Sequence, residues 1–201
     1  MNSPLCIETI RLADGQLSNL PYHNERLNRT RFACFGETMA WDLNELIKVP
    51  SEVTGGIYKC RFTYGKVVEK IEFEPYQPRI IKTLRMVEDT TVLYEFKFQD
   101  RSSLQRLFEK RENADDVLIV KNGLITDSSY ANVVFWDGSQ WFTPNSPLLK
   151  GTKRAQLLEE GIITEQKIRV RDISNFTHVR LINAMLDFGS TPLIEVSQIS
   201  S

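Results

Sequence analysis

The chain has 201 residues, of which 41% are hydrophobic and 25% charged, the proportions of an ordinary soluble globular protein. Its 25 basic and 26 acidic residues are interspersed, which predicts no nucleic-acid partner. No apolar run approaches the ~18 residues of a membrane helix, and the N-terminus lacks a secretory pattern, so we expect no membrane association. Three widely spaced cysteines indicate a cytoplasmic protein, and two distant histidines predict no metal site.

The first part of the chain predicts strands and helices in alternation. Residues 5–12 alternate loosely and end at Asp14-Gly15, which predicts a strand and a turn. Pro21 begins a basic helix that ends near Gly36, and residues 42–48 predict a second short helix. A strand pair follows over 57–64 and 67–73, turning at Gly65-Lys66.

A proline-framed segment over residues 75–78 predicts the joint between two domains. We therefore expect a small N-terminal lobe over residues 1–77 and a larger C-terminal lobe over 78–201. Because strands and short helices occur in both parts, the predicted fold is a two-lobed α+β chain.

The second part of the chain centres on residues 115–154. Strands over 80–87 and 90–98 and a helix over 100–110 are predicted before it. Apolar runs at 117–120 and 133–136, with turns at Asn122-Gly123 and Asp137-Gly138, predict a β-meander that continues into 141–144. Gly151-Thr152 then begins a helix to residue 160, and such a helix N-terminus is suited to binding an anion. Strands over 164–170 and 181–185 complete the prediction.

Five residues or pairs have side chains suited to chemistry, and each has a simpler alternative. Lys97 has large apolar neighbours that would favour a neutral, nucleophilic amine, although this segment alone favours an outward-facing lysine on an alternating strand. Asp127 pairs with a cation or belongs to a turn, and Gly151-Thr152 binds phosphate or is a plain helix cap. Arg26 is a solvated charge unless an anion faces it, and His23 is most simply a polar residue at a helix start.

In chain order, these residues form a known pattern. Glu8-Thr9-Ile10-Arg11 with Asp14-Gly15 resembles a strand-and-turn motif F-E-T-x-R…D-G, and His23 to Leu27 resembles H-x-x-R-L. Lys97 to Arg101 resembles K-x-x-x-R. The central stretch is the most specific: residues 123–135 are similar to G-x-[VI]-[TS]-E-x-x-x-x-N-[LI]-F, Phe142-Thr143-Pro144 to x-T-P, and residues 149–154 to L-x-G-[IV]-T-R.

With Leu181 to Met185, which is similar to a late phosphate-contacting turn, this pattern resembles the class IV (fold type IV) pyridoxal-phosphate enzymes. That family includes branched-chain and D-amino acid aminotransferases and 4-amino-4-deoxychorismate lyase. The resemblance implies two lobes, the larger of them β-barrel-like, a pyridoxal 5'-phosphate cofactor, a small amino-acid-like substrate and a homodimer.

The resemblance also implies a role for each matching residue. Lys97 would form the Schiff base with the cofactor and then carry protons, Asp127 would pair with the pyridine nitrogen, and Arg26 would bind the phosphate. The remaining cofactor contacts would be the backbone N–H groups of Thr152 and Lys153, the Asn183-Ala184 turn, Tyr130 and Ala131 on one face of the ring, and Leu149 beneath it.

Three departures from the family pattern affect the expected function. Asp127 stands where glutamate is usual, Lys153 stands where threonine is usual, and the chain begins almost at the first motif, which implies a compact version of the fold. The leading hypothesis is aminodeoxychorismate lyase, which releases pyruvate and p-aminobenzoate and would serve folate biosynthesis. The alternatives are an aminotransferase for branched-chain or D-amino acids and a non-catalytic homologue that binds the cofactor.

Overall fold

The chain folds as two compact units. A computed structural model describes residues 4–53 and 55–201. The first unit comprises Met1–Pro78 and Phe96–Asp100, and the second comprises Arg79–Glu95 and Arg101–Ser201. The segment that carries Lys97 therefore groups with the N-terminal unit, although the chain on both sides of it belongs to the other. The division into a small N-terminal lobe over residues 1–77 and a larger C-terminal lobe over 78–201 stays a prediction.

The first unit is a sheet with two helices. Within its described residues, a four-stranded antiparallel sheet has the order β2-β1-β3-β4. The elements are β1 (Cys6–Ala13), β2 (Gln16–Leu17), α1 (Leu20–Phe35), α2 (Leu43–Leu46), β3 (Ile57–Tyr64) and β4 (Val68–Pro75). Helix α1 ends at Gly36, whose φ of 71° is accessible to glycine without strain. Apolar residues of β1, β3, α1 and α2, among them Ile10, Leu27, Leu43 and Phe62, form its core.

Residues 97–99 pair with the start of β1. Ile7 N donates to Lys97 O at 2.9 Å, Gln99 N donates to Leu5 O at 2.8 Å, and Cys6 pairs with Phe98 in an antiparallel bridge. The strand predicted over residues 90–98 is wrong, because the chain turns at Asp89, whose Oδ1 accepts from the N–H groups of Thr91 and Val92. Only residues 97–99, at the far end of the predicted strand, pair with a strand, and that strand is β1 of the first unit.

The second unit is built on a larger mixed sheet. Its described strands follow the order β10-β9-β8-β7-β6-β5-β13, with β11 paired to β8 and β12 paired to β11. The strands are β5 (Leu84–Glu88), β6 (Asp116–Lys121), β7 (Leu124–Ser128), β8 (Asn132–Trp136), β9 (Trp141–Pro144), β10 (Ile163–Gln166), β11 (His178–Ile182), β12 (Ile194–Glu195) and β13 (Ile199–Ser200). Two helices, α3 (Ser102–Glu109) and α4 (Thr152–Glu159), connect the parallel pairs β5–β6 and β9–β10.

The core of this unit comes from the apolar runs of the central meander. Leu118, Ile125, Val133, Phe135 and Leu181 are all buried in one cluster. Strand β7 was not predicted, and Asp127, for which a turn was one interpretation, lies within this strand. The predicted strand at 181–185 begins earlier, at His178, and gives way to a turn after Ile182.

In the part of the chain that the structure describes, no helix is long and apolar enough to cross a membrane.

Candidate active site

Three polar side chains form a buried cluster in the first unit. Arg26 Nε donates to Glu8 Oε1 at 2.9 Å, and Arg26 Nη2 donates to Glu8 Oε2 at 2.5 Å. His23 Nδ1 lies 2.6 Å from Glu8 Oε2. His23 and Arg26 are one helical turn apart on α1, so both reach the same carboxylate on β1. Glu8 and His23 have no exposed surface, and Arg26 is 6% exposed.

The charges of this cluster shift the pKa values of its members. Burial alone would raise the pKa of Glu8, but the charge of Arg26 and the hydrogen bonds from His23 and Arg26 outweigh burial and hold it at about 2. Glu8 is therefore an acceptor only, and His23 Nδ1 carries the proton. Burial lowers the pKa of His23 despite Glu8, and the charges of Arg26 and Lys97 act in the same direction.

The structure bears on two of the simpler sequence interpretations. His23 lies in the first turn of α1, three residues after Leu20, as expected, but it is fully buried. Arg26 is not a solvated charge, because the anion that faces it is Glu8. The sequence contained Glu8 in the first motif, but no role for it was predicted.

Lys97 lies beside this cluster on the returning segment. Its backbone is fixed by β1, its side chain is half-buried, and its charge is close enough to lower the pKa of His23. Its neighbours in the sequence, Phe96 and Phe98, contact each other, with ring centroids 6.0 Å apart. Lys97 and Arg26, both predicted cofactor residues, thus lie in one unit around the Glu8–His23 pair.

Asp127 lies in the second unit and is 5% exposed. Its Oδ1 accepts from Asn132 Nδ2 at 2.7 Å, and its Oδ2 accepts from the backbone N–H groups of Leu148 at 2.7 Å and Leu149 at 3.0 Å. Burial raises its pKa to about 6, and those hydrogen bonds together with the charge of Arg154 keep the increase from being larger. Asp127 therefore joins β7 to β8 and to the loop before α4.

Asn132 connects Asp127 to the start of α4. Its Nδ2 also donates to Leu149 O at 2.8 Å, so one amide contacts both the strand carboxylate and the loop. A Cβ at Gly151 would lie 2.0 Å from Asn132 Oδ1, which only glycine avoids. Gly151 is the N-cap of α4 and gives the helix no side-chain cap. Sequence reasoning found the glycine and the helix but missed Asn132, which the motif contains.

The remaining predicted residues lie around this network. Thr152 is buried in the first turn of α4, and Lys153 Nζ donates to Gln156 Oε1 at 2.8 Å. Asn132 is the register partner of both Asp127 on β7 and Ile182 on β11, so Asn183-Ala184 follows the strand end beside the Asp127 pair. Asn183 Oδ1 accepts from Met185 N at 2.9 Å, which holds that turn.

Tyr130 and Ala131 form the turn between β7 and β8. Ser128 Oγ accepts from Ala131 N at 3.1 Å, and Arg101 Nη2 donates to Ser129 O at 2.7 Å. Ala131 is buried and Tyr130 is half-buried. Eight of the residues predicted to contact the cofactor thus belong to the second unit: Asp127, Tyr130, Ala131, Leu149, Thr152, Lys153, Asn183 and Ala184.

Comparison with known proteins identifies the family. The sequence profile described as "Amino-transferase class IV" matches residues 100–196. A Haemophilus influenzae protein with no assigned function is 36% identical over 180 residues, which is 89% of this chain and 96% of the relative. The chain belongs to the class IV aminotransferases.

Two further relatives carry more specific names. A solved structure from Haemophilus somnus, provisionally named 4-amino-4-deoxychorismate lyase, is 32% identical, has a TM-score of 0.83, and covers 92% of this chain and 98% of its own. A Schizosaccharomyces pombe protein, provisionally named aminodeoxychorismate lyase, is 26% identical over 86% of this chain and 83% of its own. A hypothetical aminotransferase of Mycobacterium tuberculosis, solved with pyridoxal phosphate bound, is 18% identical with a TM-score of 0.77 over 98% of this chain and 82% of its own, and shows the shared fold.

These matches confirm the predicted fold type IV, α+β architecture and place the chain among pyridoxal-phosphate-dependent enzymes of the transaminase or lyase type. The residues present fit that cofactor. The second unit has a helix that begins at an uncapped glycine packed against Asn132, beside a buried acid of raised pKa. The first unit has a lysine and a buried arginine whose guanidinium is already oriented by Glu8. A phosphate and a pyridine ring need these types of residue.

Proposed function

We propose that this enzyme is an aminodeoxychorismate lyase, which converts 4-amino-4-deoxychorismate to p-aminobenzoate and pyruvate. The observation that carries the proposal is the similarity to the Haemophilus somnus protein, which spans 98% of that chain. The similarity also covers 92% of this chain at 32% identity, so it extends beyond the segments that carry the predicted cofactor residues.

We infer the following roles for the site residues. Pyridoxal phosphate would supply an electron sink. Lys97 would hold the cofactor covalently through Nζ and later move a proton with the same atom. Arg26 and the backbone N–H groups of Thr152, Lys153 and the Asn183-Ala184 turn would bind the phosphate. Tyr130, Ala131 and Leu149 would contact the ring.

Asp127 would keep the pyridine nitrogen protonated. A carboxylate can accept about four hydrogen bonds, and three donors already contact Asp127, namely Asn132, Leu148 and Leu149. The remaining acceptor position is the one that the ring nitrogen would use. A positive ring nitrogen would also lower the pKa of Asp127 from about 6, so that cofactor binding and ionisation of this acid would favour each other.

An aminotransferase for branched-chain or D-amino acids is the alternative, favoured by the family profile. The two reactions differ in their need for a second substrate. Purified enzyme with pyridoxal phosphate and 4-amino-4-deoxychorismate is expected to release pyruvate without any added 2-oxo acid. If turnover requires an added 2-oxo acid, the proposed lyase function is wrong and the aminotransferase is the correct assignment.

A non-catalytic homologue is the remaining alternative. An absorption spectrum with added cofactor is the first measurement, because a lysine-bound cofactor absorbs in the near-visible range. Borohydride reduction followed by mass spectrometry should then place the label on Lys97. Cofactor bound to Lys97 with no turnover of either substrate class would favour the non-catalytic reading.

The resemblance also leads us to propose a cytoplasmic homodimer. Its support is the family membership and the three free cysteines, which suit a reducing compartment. Light scattering coupled to size-exclusion chromatography tests the assembly, for which twice the 23.2 kDa chain mass is expected.

A further inference from the structure

A cavity of about 180 Å³ in the second unit has a lining unlike the rest of the site. Two arginines, Arg79 and Arg101, line it together with Leu104, Phe108, Ser129 and Tyr130. The lining contains no acidic residue, so the cavity carries two positive charges and aromatic walls. Tyr130 belongs to the proposed cofactor face, which connects the cavity to the proposed reaction.

Neutral groups hold both guanidinium groups in place. Arg101 Nη2 donates to Ser129 O at 2.7 Å. The Arg79 guanidinium carbon lies 5.2 Å from the centre of the Phe108 ring and 5.5 Å from that of Tyr130, and Nη2 donates to Asp115 O at 3.3 Å. Cation–π contacts and carbonyl acceptors orient a guanidinium without neutralising its charge.

No carboxylate among the described residues forms an ion pair with either arginine. The charge of Arg79 affects the pKa of Asp116, a fully buried residue that does not line the cavity. Burial raises the pKa of Asp116, and the charge of Arg79 opposes that shift. Asp116 Oδ1 accepts from Val117 N at 2.8 Å, and the same carboxylate accepts hydrogen bonds from Ser129 of the lining, so its hydrogen bonds go to Val117 and Ser129 rather than to Arg79.

We propose that this cavity binds the carboxylate of a small aromatic acid, with p-aminobenzoate as the acid that the proposed function supplies. Guanidinium groups match a planar carboxylate in shape and charge. The side chains of Leu104, Phe108 and Tyr130 offer an apolar wall for a flat ring. The identity of the acid rests on the proposed function, whereas the carboxylate site rests on the cavity itself.

The test is a titration of ¹⁵N-labelled protein with p-aminobenzoate, followed by NMR, including the arginine Nε–H signals. In the unmodified protein, the NMR signals of residues 101–108 and 128–131 should shift and then saturate as p-aminobenzoate is added. Arg79→Gln should weaken binding at least about tenfold, because it removes one charge-assisted carboxylate contact. Arg79→Lys, which keeps the charge and loses the planar fork, should lie between the two.

A control variant separates this contact from a general change in charge. Arg106→Gln also removes one positive charge, here from α3, the helix that supplies Leu104 and Phe108 to the lining, but Arg106 pairs with Asp89 and does not line the cavity. Its affinity for p-aminobenzoate should match that of the unmodified protein. Inorganic phosphate is the second probe, and it should bind more weakly because it lacks the ring.

Each contrary result overturns the proposal. Equal affinities for Arg79→Gln and the unmodified protein, equal binding of phosphate and p-aminobenzoate, or the absence of binding would do so. The proposed reaction is judged separately, by pyruvate release from the holoenzyme. If pyruvate is released but p-aminobenzoate binding does not depend on Arg79, the lyase function is supported and the cavity proposal is wrong. If binding depends on Arg79 but no turnover occurs, the carboxylate site is supported and the lyase function is wrong.

Discussion

Arg26 has a structural role before it has any role with a cofactor. Its guanidinium makes two hydrogen bonds to Glu8 inside the first unit, and His23 contacts the same carboxylate. Removing one member of a buried ion pair leaves the other charge desolvated without compensation. An Arg26→Ala variant could therefore lose the cofactor for two reasons, a missing phosphate contact or a weakened fold. A substitution of Glu8 measures the contribution to the fold and keeps the Arg26 side chain.

We expect Glu8→Gln to destabilise the protein by about 3–5 kcal/mol, because the charge of Arg26 would stay buried without its partner. Urea unfolding followed by circular dichroism measures this. Glu25→Gln is the matched control on α1, since Glu25 is exposed and, among the described residues, forms an ion pair with exposed Arg29 alone. This variant should change stability by no more than about 0.5 kcal/mol. Similar losses in both variants would contradict a special role for Glu8.

Glu8 also predicts how stability depends on pH. Its pKa falls from 4.5 to about 2 on folding, so its contribution is fully present above about pH 4.5 and is lost as the pH falls toward 2. A shift of this size corresponds to roughly 3 kcal/mol. Urea midpoints between pH 7 and pH 2.5 should decline in the unmodified protein and decline less steeply in Glu8→Gln. Parallel declines would show that other groups govern acid unfolding.

Lys97→Ala should abolish the near-visible band of bound cofactor while leaving the fold intact. The contacts of this segment with β1 are made by backbone atoms, which the substitution keeps. Absorption with added pyridoxal phosphate and far-ultraviolet circular dichroism measure the two effects. Lys150→Ala, at an exposed position in the loop before α4, is the control and should keep the band. An unchanged band in Lys97→Ala would remove Lys97 from the proposed mechanism.

At the scale of elements, the start of α4 depends on a network that spans three segments. Asp127 on β7 and Asn132 on β8 hold the backbone of residues 148–149, and Gly151 packs against Asn132. Aspartate, which stands where the family pattern has glutamate, is long enough to accept hydrogen bonds from the loop itself. The helix N-terminus proposed for phosphate binding is positioned by these contacts.

Gly151→Ala should destabilise the protein by about 1–3 kcal/mol and weaken cofactor binding, because its Cβ would meet Asn132 Oδ1 at 2.0 Å. Its φ of −73° suits alanine, so the loss would come from this collision and not from backbone strain. Gly189→Ala is the control, with no atom within 4 Å of its Cβ. Thermal unfolding and cofactor titration measure both effects, and equal behaviour of the two variants would contradict the network.

The elements themselves were largely predictable from local pattern. Proline and glycine mark the ends of α1, and alternating or continuous apolar runs mark β3, β6 and β8. The failure at residues 90–98 has a local cause, because the Asp89 turn overrides the β-preference of the residues after it. The site residues were predicted from the resemblance of their motifs to those of the family. The hydrogen-bond partners of Asp127 and Arg26 were not predicted, because partners far apart in sequence leave no periodic pattern.

At the scale of the whole molecule, the least predictable feature is which unit each segment joins. The chain leaves the first unit at Pro78 and returns for Phe96–Asp100 before it continues in the second. Composition and periodicity locate a linker at 75–78, but they do not indicate that a later segment completes the earlier sheet. Pairing between residues about 90 positions apart is set by tertiary packing, which single-sequence reasoning does not capture.

This return also constrains the order of events during protein synthesis. Strands β1, β3 and β4 and helix α1 leave the ribosome first, yet Leu5 O and Ile7 N, at the start of β1, meet their hydrogen-bond partners only after residue 99 has emerged. Until then, that stretch of strand edge is open to pairing with another nascent chain. A translational pause shortly after residue 78 should therefore favour aggregation. A pause late enough to release residues 96–100 should allow residues 97–99 to pair with the start of β1.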